Sequence, residues 1–320
     1  MKPVRLSLAQ IVCRYLPPLF SAKLRSWIYP METAFRDDYK FVVRSHTGSF
    51  YKNTTSDRLG YEFSVHGFWD WRNLAVVLSL CSVGDTIIEI GANTGTETVA
   101  FSDILGKSGR VIAFEPLPSN IGLLKENLRL LNNVNVDLYT CAVGEEHKSV
   151  RFVPPPKINS SGSGFIDKNF NTNASDINHI DVDCITLDEM MDKIPISKIL
   201  YMDVEGHELF VLRGAKNLLK RDKPFIILEA ARKHLARNGM TPLDLYTILE
   251  SYGYRNYHIS RFGISKINLK EIIPHCNWLC VPTENLEAER IADRKIKICG
   301  ILPFLPGLNP ISNIRFRKNN

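Results

Sequence analysis

The chain has 320 residues, 44% of them apolar, and its 40 basic residues outnumber 34 acidic ones for a formal net charge of +6. That size allows one large domain or one domain with appendages, and the apolar share is ordinary for a soluble globular protein. No apolar run nears the roughly 20 residues a membrane span needs, and no Cys-x-x-Cys pair joins any of the seven cysteines, which speaks for buried reduced thiols and against structural zinc.

The positive charge is concentrated at the ends. Residues 1–30 hold Lys2, Arg5, Arg14, Lys23 and Arg25, residues 294–320 hold Arg294, Lys295, Lys297, Arg315, Arg317 and Lys318, and neither stretch has an acid. A nucleic-acid enzyme would more often place its basic surface around the cleft. Basic, apolar ends suit packing on the main domain, a partner, or peripheral contact with an anionic membrane. Arg14 and Pro17-Pro18 interrupt what could have been a signal-peptide core, so a cytoplasmic protein is expected.

In chain order, Val4, Leu8, Ile11, Val12 and Tyr15 share one helical face, and Pro17-Pro18 stop that helix. Phe41-Val42-Val43 and Tyr61-Glu62-Phe63 have the character of short strands, and the aromatic cluster from Gly67 to Trp71 suits a cap over a pocket. From Asn73 the pattern alternates. An apolar helix face precedes strand 86–90, a helix runs from about Thr96 to Leu105, and strand 110–115 leads to a helix from Ser119. A third strand is predicted through Val134 to Val143. Pro154-Pro155-Pro156 and Ser160 to Gly164 then open a long excursion, read as a substrate-side lid, before an edge strand through Ile180 to Thr186. Strand 198–203, helix 208–220, strand 225–229, a helix begun by Thr241-Pro242, and strands at Tyr254 to Ile259 and Trp278 to Val281 complete the series.

The expected fold is therefore α/β: a seven-stranded, Rossmann-like doubly wound sheet with a terminal antiparallel hairpin. Residues 1–72 form an extension and cap, 73–283 the ligand-binding domain, and 284–320 a basic tail.

Acidic residues stand at the ends of three predicted strands. In open α/β sheets ligands bind beyond those carboxyl ends, at the topological switch point. Glu89 is followed by Gly91-Ala92-Asn93-Thr94-Gly95, a strand–glycine-loop–helix element in which Gly91 admits a ligand to the backbone and Gly95 permits close packing. Asn93 occupies the middle position of the dinucleotide G-x-G-x-x-G fingerprint, so a single carboxylate is a better anion here than a pyrophosphate. Glu115, about 20 residues on, is placed to accept ribose hydroxyls. Asp203, with Glu205, His207 and Glu208 close behind, could steady a cation or accept a proton, and His207 is the other candidate base. Three such carboxylates describe a pocket for a ligand with hydroxyls and a positive charge, and S-adenosylmethionine has both.

The stretches GDTIIEIGANTG, VIAFEPLPSN, CAVG, ITLDEM, KILYMDVEGHELFVLRGA and PFIILEA, between Gly84 and Pro282, resemble the FkbM-type methyltransferase family. The resemblance implies a class I fold, S-adenosylmethionine as cofactor, and O-methylation of a hydroxyl on a sugar, glycolipid or polyketide-like acceptor. It implies that Glu89 to Gly95 form the donor loop, that Glu115 holds the ribose and Ala142 lies near the adenine, and that Asp203 and Glu205 line the reaction centre. No metal is expected. The competing readings are a non-catalytic, membrane-associated nucleotide-fold binding module and an NAD-dependent sugar-nucleotide oxidoreductase. Asn93 and the lack of a Tyr-x-x-x-Lys pair beyond the fourth strand count against the oxidoreductase.

Overall fold

A computed structural model describes residues 1–153, 164–166, 179–270 and 272–316. Three helices, α1 (Val4–Cys13), α2 (Pro18–Ile28) and α3 (Met31–Asp37), lead to a hairpin of β1 (Lys40–Arg44) and β2 (Phe50–Thr54). Next come α4 (Arg58–His66), α5 (Trp71–Leu80), β3 (Thr86–Ile90), α6 (Thr96–Leu105), β4 (Arg110–Phe114), α7 (Pro118–Leu128) and β5 (Val136–Tyr139). The short strands β6 (Ala142–Val143), β7 (Lys148–Val153), β8 (Gly164–Ile166) and β9 (Ile180–Ile185) follow. The second half holds β10 (Ile199–Met202), α8 (Glu208–Arg213), α9 (Lys216–Asp222), β11 (Phe225–Ala231), α10 (Arg232–Ala236), α11 (Pro242–Ser251), β12 (Tyr254–Ser260), β13 (Gly263–Lys266), β14 (His275–Pro282) and α12 (Ala288–Ile301).

The main sheet has eight strands, not seven, in the order β13-β12-β14-β11-β10-β3-β4-β5. The additional strand is β13, which pairs antiparallel with β12 from Ser260↔Gly263 to Tyr257↔Lys266. β11, β10, β3, β4 and β5 run parallel, and β14 turns antiparallel against β11. The chain goes outward from β3 to β4 and β5, then returns to β10 on the other side of β3. This reversal is the switch point at which α/β proteins place ligands. Ile90 is level with Phe114 on one side and Met202 on the other, and Met202 is level with Leu228. The next residues along these strands, Glu115, Gly91, Asp203 and Glu229, therefore stand side by side along one edge of the sheet.

Both faces of the central parallel strands are dry, as a parallel sheet demands. Ile87, Val111, Tyr201 and Ile227 pack against α5, α6 and α12. Ile88, Ile112, Leu200 and Ile226 pack on the other face with Leu209, Leu212 and Leu218 from α8 and α9 and Leu245 from α11. Each such aliphatic side chain contributes about 1.5–3 kcal/mol on full burial. The segment expected to be a basic tail contains α12, whose Ala288, Ala292, Ile296 and Cys299 lie in this core.

Several local expectations are corrected. Tyr61-Glu62-Phe63 belongs to α4, not to a strand: Asp57 caps that helix by accepting from Gly60 N, and Tyr61, Phe63 and Val65 are all buried. The strand expected from Val134 to Val143 is two strands in different sheets. β5 ends on the main sheet, whereas β6 pairs with β9 in a four-stranded sheet of order β6-β9-β7-β8. In that sheet β9 is internal, not an edge strand. Helix 208–220 is broken at Gly214, where an added Cβ would lie 1.9 Å from Gly144 O, so the two backbones touch. The lid expected around 154–175 falls mostly outside the described residues.

The N-terminal hairpin is fixed to the sheet domain by a buried knot. Asp103 of α6 accepts hydrogen bonds from Thr47 Oγ1, Ser49 N and Ser49 Oγ at 2.6–2.7 Å. Tyr51 of β2 is hydrogen-bonded to Thr94 Oγ1 in the glycine loop at 2.8 Å. The N-terminal segment thereby reaches the loop that begins the site.

Candidate active site

The sheet edge opens into a cavity of about 310 Å³ lined by Glu89 to Asn93, Glu115, Leu117, Asn120, Cys141, Ala142, Asp203 to Glu205, Glu229, His234, Arg237 and His275, with Arg58, Leu59 and Trp69 from the N-terminal region. One half is made by backbone geometry. Gly91 has φ +89°, and a Cβ there would lie 2.1 Å from Asp203 O, so only glycine lets the ends of β3 and β10 approach this closely. Asn93 takes a left-handed φ of +51° and donates its N–H to Glu115 Oε2 at 2.7 Å. Glu115 Oε1 accepts from Leu117 N at 2.9 Å. Two main-chain donors thus aim the Glu115 carboxylate and leave it lone pairs for further donors. Gly95 does not line the cavity. It caps α6 at φ +91° and faces Leu124 Cδ1 at 2.9 Å from an ideal Cβ, the close helix packing its position suggested.

The chemistry of this half fits a ligand carrying both hydroxyls and a cation. Glu89 Oε2 and both carboxylate oxygens of Glu97 are buried with no hydrogen-bond partner among the described residues. Burial raises the Glu89 carboxyl to about 8 and Glu115 to about 7, and raises Glu97 well above the usual carboxylate range. Buried acids with unmet acceptors are costly on their own and are answered by a hydrogen-bonding cation.

The other half is an assembly of charged side chains. Gly206 (φ +103°) lets the turn after β10 close against α10, where a Cβ would lie 2.4 Å from His234 O. That contact and the left-handed Glu205 (φ +54°) bring Glu205, Glu229 and His234 together. His234 Nδ1 lies 2.9 Å from Glu205 Oε2 and 3.3 Å from Glu229 Oε2, while His275 Nε2 lies 3.0 Å from Glu229 Oε1. The Glu205 and Glu229 carboxylates hold the His234 imidazole in its charged form, up to about 10. Asp203 is partly buried beside them. Burial first, then repulsion from Glu229, Glu205 and Glu208, raises its carboxyl well above the ordinary range. Glu205, Glu229 and His234 offer three ligand atoms within 4.8 Å of one another, a grouping the sequence reading did not foresee. An imidazolium between two carboxylates accounts for it.

His207 is placed differently from expectation. It precedes α8, its ring rests on Phe210 with centroids 4.7 Å apart, its Nδ1 is 3.4 Å from Asn238 Nδ2, and it does not line the cavity. Burial lowers it to about 3, so it is neutral at physiological pH. Glu208 Oε1 accepts from Gly206 N at 3.2 Å and Val204 N at 3.4 Å, holding the turn that carries Glu205. Glu97, Glu229, His234, His275, Arg58 and Arg237 escaped the sequence reading. Only Glu229 left a signal there, as the acid after the apolar run Phe225-Ile226-Ile227-Leu228.

The profile of the methyltransferase FkbM domain matches residues 89–256, just over half the chain, from the donor strand into β12. The chain belongs to the FkbM methyltransferase family. It is an S-adenosylmethionine-dependent methyltransferase with a class I α/β fold. The FkbM chain is 25% identical over 237 residues to the hexuronic acid methyltransferase AglP of Haloferax volcanii, covering 71% of this chain and 86% of the relative. Among solved structures, it is similar to an FkbM methyltransferase from Methylobacillus flagellatus (16% identity, 86% of this chain, TM-score 0.41), of whose length it spans 58%. It is also similar to Aeropyrum pernix fibrillarin bound to S-adenosyl-L-methionine (16% identity, 66% of this chain and 74% of that one, TM-score 0.38).

Proposed function

We propose that this FkbM methyltransferase transfers the methyl group to a hydroxyl of a carbohydrate acceptor, with Asp203 as the residue that receives the hydroxyl proton. The observation that carries this reading is the continuity of one cavity from the Gly91–Asn93 loop to the Asp203, Glu205, Glu229 and His234 cluster. When bound, S-adenosylmethionine supplies an electrophilic methyl group on a positively charged sulfur. Glu115, aimed by Asn93 N and Leu117 N, would accept its ribose hydroxyls, and Glu89 and Glu97 would meet its ammonium group. Ala142 and Cys141, beside Leu117 and Phe152, would border the adenine.

Asp203 suits the role of base because burial, and then the neighbouring carboxylates, make it more basic than an exposed aspartate, and a positioned base contributes roughly 10²–10⁴-fold. Glu205 would orient the acceptor while His234 keeps its charge in place. In the cavity lining, Trp69 offers a flat apolar face, and Arg58 (5.7 Å from its ring centroid) and Arg237 offer donors, a mixture suited to a polyhydroxylated ring. The similarity to a hexuronic acid methyltransferase supports a sugar acceptor.

The test is methyl transfer from labelled S-adenosylmethionine to a panel of free sugars, uronates, glycolipids and structured RNA, read by mass spectrometry. Label on a saccharide oxygen, lost in Asp203→Asn with S-adenosylhomocysteine binding retained, is the expected result. Label on RNA alone would sink the acceptor assignment.

A further inference from the structure

Helix α1 carries two apolar stripes. Leu6, Ala9 and Cys13 are buried against Tyr29, Ala34, Tyr61 and Val65. Of the face whose periodicity predicts the helix, Val12 packs against that core, whereas Val4, Leu8, Ile11 and, in the turn just beyond α1, Tyr15 are 83, 48, 75 and 42% exposed. Their i, i+4, i+7, i+11 spacing places them on one side. Helix α2 repeats the pattern, with Phe20 67% and Trp27 70% exposed on either side of exposed Lys23, whose Nζ lies 5.4 Å over the Trp27 ring. The end of α12 and the segment after it adjoin α2 and the turn between α1 and α2. Phe304 N donates to Tyr15 O at 2.9 Å, an ideal Cβ on Gly300 of α12 would lie 3.5 Å from Leu19 Cγ, and Ile301, the last residue of α12, and Leu305 are exposed.

Isolated exposed apolar residues are ordinary, but a contiguous group on adjoining elements marks a surface that something covers. Charge identifies the occupant. The first 31 residues contain five cations and no acid, and of those Lys2, Arg5 and Lys23 are exposed. Arg14 and Arg25 are held internally, by Arg44 O and Glu62 respectively. Exposed apolar stripes, flanking cations, and a tryptophan paired with a lysine are the composition of helices that lie in a membrane interface. No helix among the described residues is long and apolar enough to cross a membrane, so the surface would lie on the bilayer.

We propose that the outer faces of α1 and α2, with Ile301 and Leu305, form a docking surface for an anionic lipid bilayer. The surface is joined to the cavity. Gln10 Nε2 donates to Ser64 O of α4 at 2.7 Å, and α4 begins with Arg58 and Leu59, which line the cavity.

The experiment is flotation of the full chain with vesicles of phosphatidylcholine alone or with phosphatidylglycerol at about a third of the lipid. Wild type should float with the anionic vesicles, at least tenfold more than with neutral ones. Exposed-site variants Phe20→Ser/Trp27→Ser and Ile11→Ser should lower the floated fraction several-fold while keeping the wild-type melting temperature and S-adenosylhomocysteine affinity. Lys23→Glu should lower it too, and added salt should weaken wild-type binding. Equal binding to both vesicles, no binding to either, or binding indifferent to the apolar variants would overturn the proposal. So would a concentration-dependent dimer dispersed by Phe20→Ser/Trp27→Ser, because the occupant would then be a second copy. None of these readouts depends on the acceptor assignment.

Discussion

The two halves of the cavity are built on different principles. The donor half is main chain: Gly91 at a positive φ, Asn93 N and Leu117 N on Glu115, all from residues 89–117. The acceptor half is side chain. Asp203 and Glu205 come from the turn after β10, Glu229 from the end of β11, His234 from α10, and Arg58 and Trp69 from the N-terminal segment. The hydrogen bonds that aim Glu115 lie within one short stretch, although Gly91 is also pressed against Asp203 O from β10. The other half depends on how distant segments dock, and in the proposed reading that is where acceptor choice would lie.

The largest effect should come from the side-chain half. Asp203→Asn is expected to lower kcat by roughly 10²–10⁴-fold with little change in S-adenosylhomocysteine affinity. Wild-type turnover in that protein would remove Asp203 as the base. Gly91→Ala should instead strike the donor half. The new Cβ meets Asp203 O in a strained left-handed backbone, and calorimetry should show donor affinity lowered by roughly ten- to a hundredfold. Glu115→Ala should weaken the same binding about tenfold, the loss of a charged acceptor for ribose hydroxyls, and leave kcat at saturating donor nearly intact. Unaltered affinity would break the donor assignment.

A smaller effect comes from pH. Glu89 is raised to about 8 in the folded chain, so its contribution to stability is complete below its unfolded value near 4.3 and is lost as pH rises through 8. His46, His66 and His207 act oppositely, being held neutral by burial, but their contribution is already complete above about 7. Between pH 7 and 8 the melting temperature of ligand-free protein should therefore fall, and less so in Glu89→Gln. A parallel fall in both proteins would show that Glu89 ionises normally. Least affected should be His207→Gln, with kcat within about threefold of wild type and an unshifted pH–rate profile, since the ring faces Phe210. A displaced profile would return His207 to the reaction.

What was legible in the sequence follows the same division. The glycine loop, Glu115 and Asp203 could be located because strand, turn and helix signals within a few residues fix where they stand. Glu229 and His234 could not be paired with Glu205, because their meeting depends on Gly206 packing against His234 O across the turn. His207 sits in the same motif as Asp203, and spacing along a turn does not say which side chain faces the cavity. The apolar periodicity of α1 identifies a helix, but an apolar stripe does not reveal whether core or solvent receives it. Tyr61 and Phe63 alternate like a strand, yet the Asp57 cap and tertiary burial settle them as helix.

The Asp103 knot has a consequence for the order of assembly. Thr47 and Ser49 lie 54–56 positions before Asp103, so although Phe41 and Tyr51 can pack early on Phe63 of α4, the knot that fixes the hairpin to the sheet domain closes only after α6 has formed. Closing a loop of that length is paid for before any contact within it stabilises the fold. Pulse-labelled hydrogen exchange during refolding should find the amides of α6 protected before those of β1, and simultaneous protection would contradict this. In such a chain the part synthesised early is the part that settles late.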